Sequence, residues 1–565
     1  MAARSIKQLH PVEEMTMRNC RKTTMTDILL IQPPIRDFYL TAKRTIPYGL
    51  ASMAAALQAD GFSVTIFDAL ATAKARVRDW PEEMAYLRPY YGCADRSPVA
   101  LFQKYRHFGY SFDHIGRQAQ KSGAFLVGIS ALFTPYIAEA LRTAEKVKVF
   151  HPDCKIVLGG HHPTAFSEEV LQHPAVDYVI RGEGEQALPA LARALKGGGT
   201  KMETVPGIGF KRPDGTLHIS TPAQVQNLDR LVPPATGLVN QDYYRRNGRG
   251  SAVIVSSRGC PLKCSYCCVG GASHLRYRRR SLKSVMQEIE TEVVKMKAGF
   301  IDFEDEALAW DRDWFLELLL AIRKRFKDNG PELRAMNGLY PPSLDEVVVR
   351  QMRAAGFKAL NLSLGTSSLP QLKRFNRPDV RKAFGQALEL AETHGLNPVG
   401  YIIAGAPFQR AETTLEDLLF LAQRRVLVGI SIFYPAPESK DYRLCAAEGL
   451  LPQTYALMRA SVLPLSHTTT RTEAVTLLRL GRVVNFMKLL VGRGEALPNP
   501  QKPPAAVSQR IERVALGREV VGWFLYDGKI RGVDLDGRIY EHQTAAHLTT
   551  TFRERLKQIE VVPAS

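Results

Sequence analysis

Three cysteines on one short loop constrain this chain more than any other feature. Cys260, Cys264 and Cys267 have the spacing C-x-x-x-C-x-x-C and directly follow the apolar run 252–255. The run predicts a buried strand that ends in a tight, sulfur-rich loop. Three thiolates on one loop can bind three irons of a 4Fe-4S cluster, whereas structural clusters take four protein ligands. The fourth iron would then be open to a small molecule.

A zinc site is the alternative interpretation of the same loop. Four thiolates, from Cys260, Cys264, Cys267 and Cys268, would suit tetrahedral zinc. Structural zinc sites usually have two Cys pairs that lie about 12 to 20 residues apart, and no second pair follows here. Because Cys267 and Cys268 are adjacent, their two sulfurs also cannot easily bind the same metal. We therefore favour the cluster and interpret Cys268 as a packed thiol beside it.

The segment 257–267, Ser-Arg-Gly-Cys-Pro-Leu-Lys-Cys-Ser-Tyr-Cys, resembles the signature loop of the radical S-adenosylmethionine (SAM) enzymes. Later segments are similar, in the same order, to the successive strand ends of such barrels: 277–281, 301–306, 361–363, 401–407 and 433–437. The resemblance implies a partial (β/α)6 barrel of the TIM type over residues 250–440. It also implies that SAM binds the open iron.

The same resemblance implies roles for four further residues. Tyr266 would pack near the adenine of SAM, Asp305 and Glu306 would help to hold its amino group, and Ser363 would approach the ribose. Many relatives have Glu-Ser where this chain has Gly365-Thr366. A common polar contact with SAM is therefore missing on that side.

Strand-like and helix-like segments alternate upstream of the cysteine loop. The strands are expected at 28–32, 63–68, 125–130, 155–158 and 178–181, and the helices at 50–59, 139–150, 165–172 and 187–195. This alternation predicts a doubly wound parallel sheet, an α/β fold of the Rossmann-like class. In such a sheet, ligands bind beyond the carboxyl ends of the strands, near the switch in strand order.

Gly-rich or Pro-rich turns follow these predicted strands, and glycine lets a bulky ligand approach the backbone, although ordinary tight turns would also explain them. In their order the turns look like the cobalamin-binding domain that precedes some radical SAM barrels. This second resemblance spans about residues 26–198. It implies a cobalamin site formed by Ser130, Ala131, Gly159, Gly160, His161, Gly182, Glu183 and Gly184.

The sequence departs from one class of cobalamin-binding domains. Domains of the methionine synthase type place a His below the cobalt through a D-x-H-x-x-G motif, and the segment 113–116, Asp-His-Ile-Gly, has the wrong spacing. We therefore expect a cobalt without a His lower ligand, although His161 and His162 remain available.

The remaining segments complete a domain plan. Residues 1–25 form an N-terminal tail, residues 26–200 the cobalamin-binding domain, and residues 201–249 a hairpin with a linker. An aromatic insertion at 70–120 predicts a packed cap that could cover the corrin, wall the substrate or fill a contact between domains. Residues 441–565 are expected to be a small α+β domain, with a helix at 473–490, a three-strand meander at 520–526, 530–535 and 539–542, and a closing helix at 545–559.

Composition narrows the cellular context and the partners. The formal net charge of +19 comes from basic residues that are spread along the chain, so a solvated surface explains most of them and a nucleic-acid partner is not expected. Eight cysteines with three in one loop do not predict a disulfide framework, and an oxygen-sensitive cluster needs a reducing compartment. With no apolar run near about 18 residues, we expect a cytoplasmic protein without a membrane span.

Together the resemblances imply a cobalamin-dependent radical SAM methyltransferase that uses a 4Fe-4S cluster, SAM and cobalamin. It would methylate an unactivated carbon or phosphorus of a small-molecule or peptide substrate and take electrons from a donor such as flavodoxin or ferredoxin. One alternative keeps the cofactors but performs cyclisation or rearrangement. Another is a radical SAM enzyme acting on tRNA, for which Cys20, Cys93 and Cys154 are too scattered to supply a second cluster. No catalytic acid or base is assigned.

Overall fold

The structure is a computed structural model that describes residues 26–39, 46–101, 104–197, 201–271 and 276–564. The predicted N-terminal tail, 1–25, lies outside the described residues. Within the described ranges, no helix is both long and apolar enough to cross a membrane.

The N-terminal part contains a seven-stranded sheet whose order is typical of a doubly wound fold. Its parallel strands have the order β3-β1-β6-β7-β8, and the antiparallel strands β9 and β10 extend the far edge. Winding reverses at β1, which pairs with β3 on one side and β6 on the other, and this is the switch point where such sheets bind ligands. The strands up to this point of the chain are Ile28–Gln32 (β1), Ile35–Asp37 (β2), Val64–Asp68 (β3), Ala75–Val77 (β4), Arg106–Phe108 (β5), Leu126–Ser130 (β6), Lys155–Gly159 (β7), Tyr178–Ile180 (β8), Ile208–Lys211 (β9) and Leu217–Ile219 (β10).

Helices cover both faces of this sheet. Side chains of a strand alternate between faces, and in β1 Leu29 and Ile31 enter one hydrophobic core while Ile28 and Leu30 enter the other. The continuous apolar run of β1 therefore reflects burial on both sides, which confirms the predicted doubly wound class. The helices here are Tyr48–Ala59 (α1), Arg88–Tyr91 (α2), Phe112–Ser122 (α3), Ile137–Phe150 (α4), His161–Ala165 (α5), Ser167–Gln172 (α6) and Gly184–Leu195 (α7).

The aromatic insertion packs against the C-terminal part of the chain. Strands β2, β5 and β4 form a small antiparallel sheet, and the segment between β4 and β5 joins the same hydrophobic core as residues 457–556. The buried guanidinium of Arg479 donates to the carbonyls of Tyr90 (3.0 Å) and Val99 (3.1 Å). Of the three roles open from sequence, this segment fills a contact between parts of the molecule.

Six parallel strands form the partial barrel expected from sequence. They lie in two groups of three, β11-β14-β15 and β16-β17-β18, and parallel bridges at 333–357 and 339–362 connect the groups. The strands of this part are Gly250–Ile254 (β11), Ser257–Arg258 (β12), Arg278–Arg279 (β13), Ala298–Phe303 (β14), Glu332–Arg334 (β15), Ala359–Gly365 (β16), Asn397–Ala404 (β17) and Leu427–Ile432 (β18). The helices are Cys268–Gly271 (α8), Leu282–Glu290 (α9), Arg312–Phe326 (α10), Glu346–Ala355 (α11), Leu369–Arg374 (α12), Arg381–Thr393 (α13), Ala411–Ala422 (α14) and Lys440–Ala447 (α15), with a π-helical turn at Thr291–Lys295.

The C-terminal part differs from the sequence prediction at one element. The segment 520–526, predicted as the first strand of a meander, lies inside the helix Arg513–Asp527, so the meander is wrong and only a two-stranded hairpin exists among the described residues. A short apolar run does not distinguish a buried strand from a buried helix, and Gly528, at φ 77°, ends a helix instead of turning a hairpin. The elements are Arg471–Gly492 (α16), Arg513–Asp527 (α17), Arg531–Val533 (β19), Ile539–Glu541 (β20) and Ala546–Leu556 (α18).

Candidate cofactor site between the sheet and the barrel

The cysteine loop begins where the first barrel strand ends. β11 leads into the two-residue strand β12, and Gly259 then turns the chain with a left-handed backbone, φ 81°. Two distant segments hold the loop, since the Ser265 N–H donates to the Phe375 carbonyl and the Ser265 hydroxyl donates to the Asp441 carboxylate, both at 2.9 Å. The loop is therefore fixed by the helical segments that follow the barrel strands β16 and β18.

The donor set of this loop fits an iron–sulfur cluster. Cys264 is buried, and Cys260 and Cys267 are partly exposed, so the thiols face a space that a ligand can reach. A hydrogen bond from Cys268 lowers the pKa of Cys267, whereas burial raises the pKa of Cys260 to about 11, so Cys267 is the more readily ionised of these two thiols. Across the described part of the chain, no three His, Cys, Asp or Glu side chains are placed to hold a single metal ion.

Arg377 is a site residue that the sequence analysis missed. Its buried guanidinium donates to the Cys264 sulfur (3.7 Å), to the Tyr266 hydroxyl (3.2 Å) and to the Ser363 carbonyl (2.5 Å). Its Nε is buried without a hydrogen-bond partner. One side chain thus joins three residues that the sequence placed at the SAM site, although no motif in the sequence marks it.

This chain has Gly365-Thr366 where many relatives have Glu-Ser, and the difference has a local structural reason. A Cβ added to Gly365, at φ 81°, would lie 3.2 Å from Cδ of Arg377. Thr366 is buried and donates to the Asp417 carboxylate at 3.1 Å. Glycine therefore makes room for the arginine, and Thr366 faces helix α14.

Asp305 and Glu306 occupy different environments at the end of β14. The buried Asp305 carboxylate accepts hydrogen bonds from the hydroxyls of Ser256 (2.7 Å) and Ser257 (2.5 Å), so it holds the start of the cysteine loop. Glu306 is accessible, yet the surrounding protein, and next the charges of Asp305 and Cys267, raise its pKa to about 7. Of the two predicted residues, Glu306 is the one that faces the open space.

The predicted cobalamin turns lie at the switch-point edge of the N-terminal sheet. Ser130 pairs in register with Gly159, and the Ala131 N–H donates to the Gly159 carbonyl at 2.8 Å. A Cβ on Gly160, at φ 125°, would lie 2.7 Å from the Ala131 carbonyl atoms. The two turns after β6 and β7 therefore touch each other, and only glycine at 160 permits it.

Two apolar side chains stand exposed at this edge and were not predicted as site residues. Leu132 is 44% and Phe133 is 58% exposed, directly after Ala131. Exposed apolar surface beside a switch point suits a large flat ligand such as a corrin. The edge thus fits cobalamin through the backbone turns and these two side chains.

The two adjacent histidines have different positions. His161 is exposed at the start of α5. His162 is 1% exposed and packs against the rings of Phe166 (5.0 Å) and Tyr455 (4.8 Å), and burial lowers its pKa to about 4. His162 is therefore a neutral packing residue.

The turn after β8 is a contact between sheet and barrel. A Cβ on Gly182, at φ 78°, would overlap the Ala223 carbonyl, so this glycine serves backbone packing. The Glu183 carboxylate accepts two bonds from Arg278, at 2.7 and 2.9 Å, and lies 3.4 Å from Arg258. Arg258 and Arg278 lie opposite each other in the antiparallel pair of strands β12 and β13, next to the cysteine loop. Glu183 thus ties the cobalamin side to the cluster side.

Tyr434 lies near charged groups of both parts of the molecule. It follows β18 and is 43% exposed, and burial, followed by the neighbouring charges of Cys268, Cys267 and Tyr39, raises its pKa to about 12. Tyr39 belongs to the N-terminal part and the cysteines to the barrel. Tyr434 is therefore within electrostatic reach of both parts.

Known families match both halves of this arrangement. The family described as "B12 binding domain" matches residues 103–192, and the family described as "Radical SAM superfamily" matches residues 254–421. The chain therefore combines a B12-binding domain with a radical SAM domain. This confirms the sequence-based family assignment, the fold class and the three cofactors, cobalamin, a 4Fe-4S cluster and SAM.

Relatives of this chain include two types of enzyme. The anaerobic magnesium-protoporphyrin IX monomethyl ester cyclase of Rubrivivax gelatinosus is 32% identical over 359 residues, which cover 61% of this chain and 62% of the cyclase. The cytidylyl-2-hydroxyethylphosphonate methyltransferase of Streptomyces wedmorensis is 24% identical over 473 residues, or 76% of this chain and 84% of that protein. This chain therefore spans about three fifths of the cyclase and most of the methyltransferase.

A solved structure has the same architecture. The radical SAM methyltransferase TsrM from Kitasatospora setae, with cobalamin and a 4Fe-4S cluster bound, superimposes with a TM-score of 0.58 and 19% identity. The match covers 75% of this chain and 78% of TsrM. At this identity the likeness concerns the fold, and it supports the order of cobalamin-binding sheet and barrel.

Proposed function

We propose that this enzyme transfers a methyl group from methylcobalamin to an unactivated carbon or phosphorus of a small substrate. The observation that carries the proposal is the direct contact between the two halves of the site: Glu183 and Glu185, at the turn after β8, form ion pairs with Arg278 and Arg258 beside the cysteine loop. When bound, the cluster, SAM and cobalamin supply the radical and the methyl group, and the protein orients them. A substrate held between the two halves would contact both cofactor sites.

On the barrel side, Cys260, Cys264 and Cys267 would hold the cluster. Arg377 donates a hydrogen bond to Cys264 and keeps Tyr266 and Ser363 beside it, where they would contact the adenine and ribose of SAM. Glu306 would accept from the amino group of SAM. Asp305 would act indirectly, since its carboxylate is already bound to Ser256 and Ser257.

On the sheet side, the turns after β6, β7 and β8 would form the cobalamin site. Ser130 and Ala131 with the apolar Leu132 and Phe133 would lie against the corrin, and Gly159, Gly160 and His161 would follow its edge. Gly182 and Gly184 shape the third turn, whose Glu183 would maintain the distance between the two cofactors through Arg278. His162 would not contact the cobalamin, since it is enclosed by aromatic rings.

A second candidate function is cyclisation without methyl transfer. The 32% identity to the Rubrivivax gelatinosus cyclase favours it. The two functions differ in by-products, because methyl transfer consumes a second SAM to remethylate the cobalt. Only methyl transfer therefore yields S-adenosylhomocysteine together with 5'-deoxyadenosine.

The test is an anaerobic assay of the reconstituted enzyme with SAM that carries a labelled methyl group and with pooled small-molecule extracts. We expect the label in a product, with S-adenosylhomocysteine and 5'-deoxyadenosine formed in step with it. A turned-over substrate that gains no label, with 5'-deoxyadenosine as the sole nucleoside product, contradicts methyl transfer and supports cyclisation. The Cys264→Ala variant is the blank. Because the cluster needs a reducing compartment, we also propose a cytoplasmic location.

A further inference from the structure

An exposed cationic surface lies directly outside the cysteine loop. We call it the basic face and define it by Lys263, Lys373, Arg374, Phe408 and Arg410, all of which are exposed. Lys263 lies between the first two cluster cysteines, Lys373 and Arg374 end helix α12, and Phe408 and Arg410 follow β17.

Phe408 is the unusual residue of the basic face. It is 42% exposed and its backbone is left-handed at φ 60°, a conformation that favours glycine. The Arg374 guanidinium lies 4.5 Å from the ring centroid, and the His467 ring meets its edge at 4.8 Å. An aromatic side chain held outward beside an arginine is typical of the centre of a protein interface, where aromatic residues and arginine are enriched.

Hydrogen bonds connect the basic face to the backbone on both sides of Cys264. The Asn376 amide donates to the Lys263 carbonyl at 2.8 Å, and the Ser265 N–H donates to the Phe375 carbonyl at 2.9 Å. The Arg374 Nε donates to the Pro407 carbonyl at 2.8 Å, which links α12 to the loop that carries Phe408. The basic face is therefore the outer wall of the cluster site.

The charge of the basic face remains positive after nearby carboxylates are included. Glu412 lies 3.4 Å from Arg410, and Asp441 is buried behind the loop, where it accepts from Ser265. Lys263, Lys373 and Arg374 have no ion pair with a carboxylate among the described residues. An acidic partner would find at least three cations here beside one aromatic ring.

We propose that the basic face docks a small acidic electron-carrier protein that reduces the cluster. The proposal rests on the proposed function, since it requires the cluster held by the cysteine loop. One electron leaves the reduced carrier and enters the oxidised cluster, so the carrier is oxidised and the cluster reduced by the same electron, with no bond or proton exchanged. Opposite charges would steer the carrier to this face and speed association at low ionic strength.

The test measures how fast flavodoxin hydroquinone, a small acidic flavin carrier, reduces the cluster of the anaerobically reconstituted full chain. Lys373→Glu/Arg410→Glu reverses two cations that do not contact the cysteine loop. Phe408→Gly removes the ring and suits the left-handed backbone. The matched control, Lys324→Glu/Arg350→Glu, reverses one exposed Lys and one exposed Arg on α10 and α11.

We expect the double reversal at the basic face to slow reduction by flavodoxin roughly tenfold at low salt, with the difference shrinking at high salt. Phe408→Gly should slow it at every salt concentration. Dithionite, a small reductant that needs no docking, should reduce all variants equally. Equal slowing in the control variant, or unchanged rates in both basic-face variants with full iron content, overturns the docking proposal. If the proposed methyl transfer is wrong, the unmodified chain reduced with dithionite will form no methylated product. That result does not depend on docking, so the two failures are distinguishable.

Discussion

At the scale of single residues, Arg377 has the greatest consequence for the cluster. Among the described residues it is the one charged group that donates to the sulfur of a proposed cluster ligand, and hydrogen bonds to cluster sulfurs influence the reduction potential. Replacing Arg377 with Met should lower the midpoint potential on the order of 60 mV, if the lost bond is worth about 1.4 kcal/mol in a one-electron couple. A redox titration followed by EPR measures it, with Arg381→Met as the control. An unchanged potential in Arg377→Met would show that the arginine has a packing role alone.

Asp417 gives a prediction about pH. Its carboxylate is buried without a cation beside it, and burial raises its pKa to about 6 from an ordinary 3.8. Because the folded pKa is the higher one, the folded protein binds the proton more tightly, so this group stabilises the fold below about pH 4 and that stability is lost as pH rises to about 6. The effect is about 3 kcal/mol in size. Asp417→Asn should therefore gain stability relative to the unmodified chain between pH 4 and pH 7, as measured by denaturant unfolding of the apoprotein, and parallel pH profiles would contradict it.

At the scale of elements, the sheet edge was predictable where local chemistry decides the structure. The run of β1 is buried on both faces. Position 160 requires glycine, because a Cβ there would meet the turn after β6. Segment 520–526 was not predictable, since Val520, Val521, Trp523 and Phe524 suit a strand or a buried helix equally, and packing of α17 in the common core decides.

Gly160→Ala tests the role of the turn in cobalamin binding. Both Gly160→Ala and the control Gly61→Ala place a side chain at positive φ, 125° and 89°, but only at Gly160 would the Cβ meet backbone. Each should lose roughly 1 kcal/mol of stability from backbone strain. Gly160→Ala alone should bind hydroxocobalamin more weakly, as measured by equilibrium dialysis, and equal affinity in both variants would contradict a site at this turn.

At the scale of the whole molecule, the pairing of Glu183 with Arg278 joins the two cofactor-binding parts. Both side chains are largely buried, so Arg278→Met should leave the Glu183 carboxylate with only the longer ion pair to Arg258 and cost about 2 kcal/mol. The double variant Glu183→Gln/Arg278→Met should recover part of that loss in denaturant unfolding. The exposed pair Arg555–Glu416 is the control and should contribute less than about 1 kcal/mol. Additive losses in the cycle would mean that the pair does not couple sheet and barrel.

Contacts between distant segments explain what the sequence did not reveal about the site. The cysteine spacing is local, so the cluster loop was predictable. Arg377 lies more than a hundred residues after Cys264, and Glu183 meets Arg278 across 95 residues, so neither partnership leaves a pattern in the sequence. The sequence analysis predicts that Glu183 contributes to the cobalamin site, whereas its carboxylate forms ion pairs with Arg278 and Arg258 of the barrel.

The most direct test of the central claim is an anaerobic absorbance spectrum with quantification of iron, sulfide and corrinoid in the purified chain. The account predicts one 4Fe-4S cluster and one cobalamin per chain. It also predicts that replacing Cys260, Cys264 and Cys267 together with Ala removes the iron and leaves the cobalamin, because the two sites lie on different sheets. A colourless protein, or iron that persists in the triple variant, would contradict it.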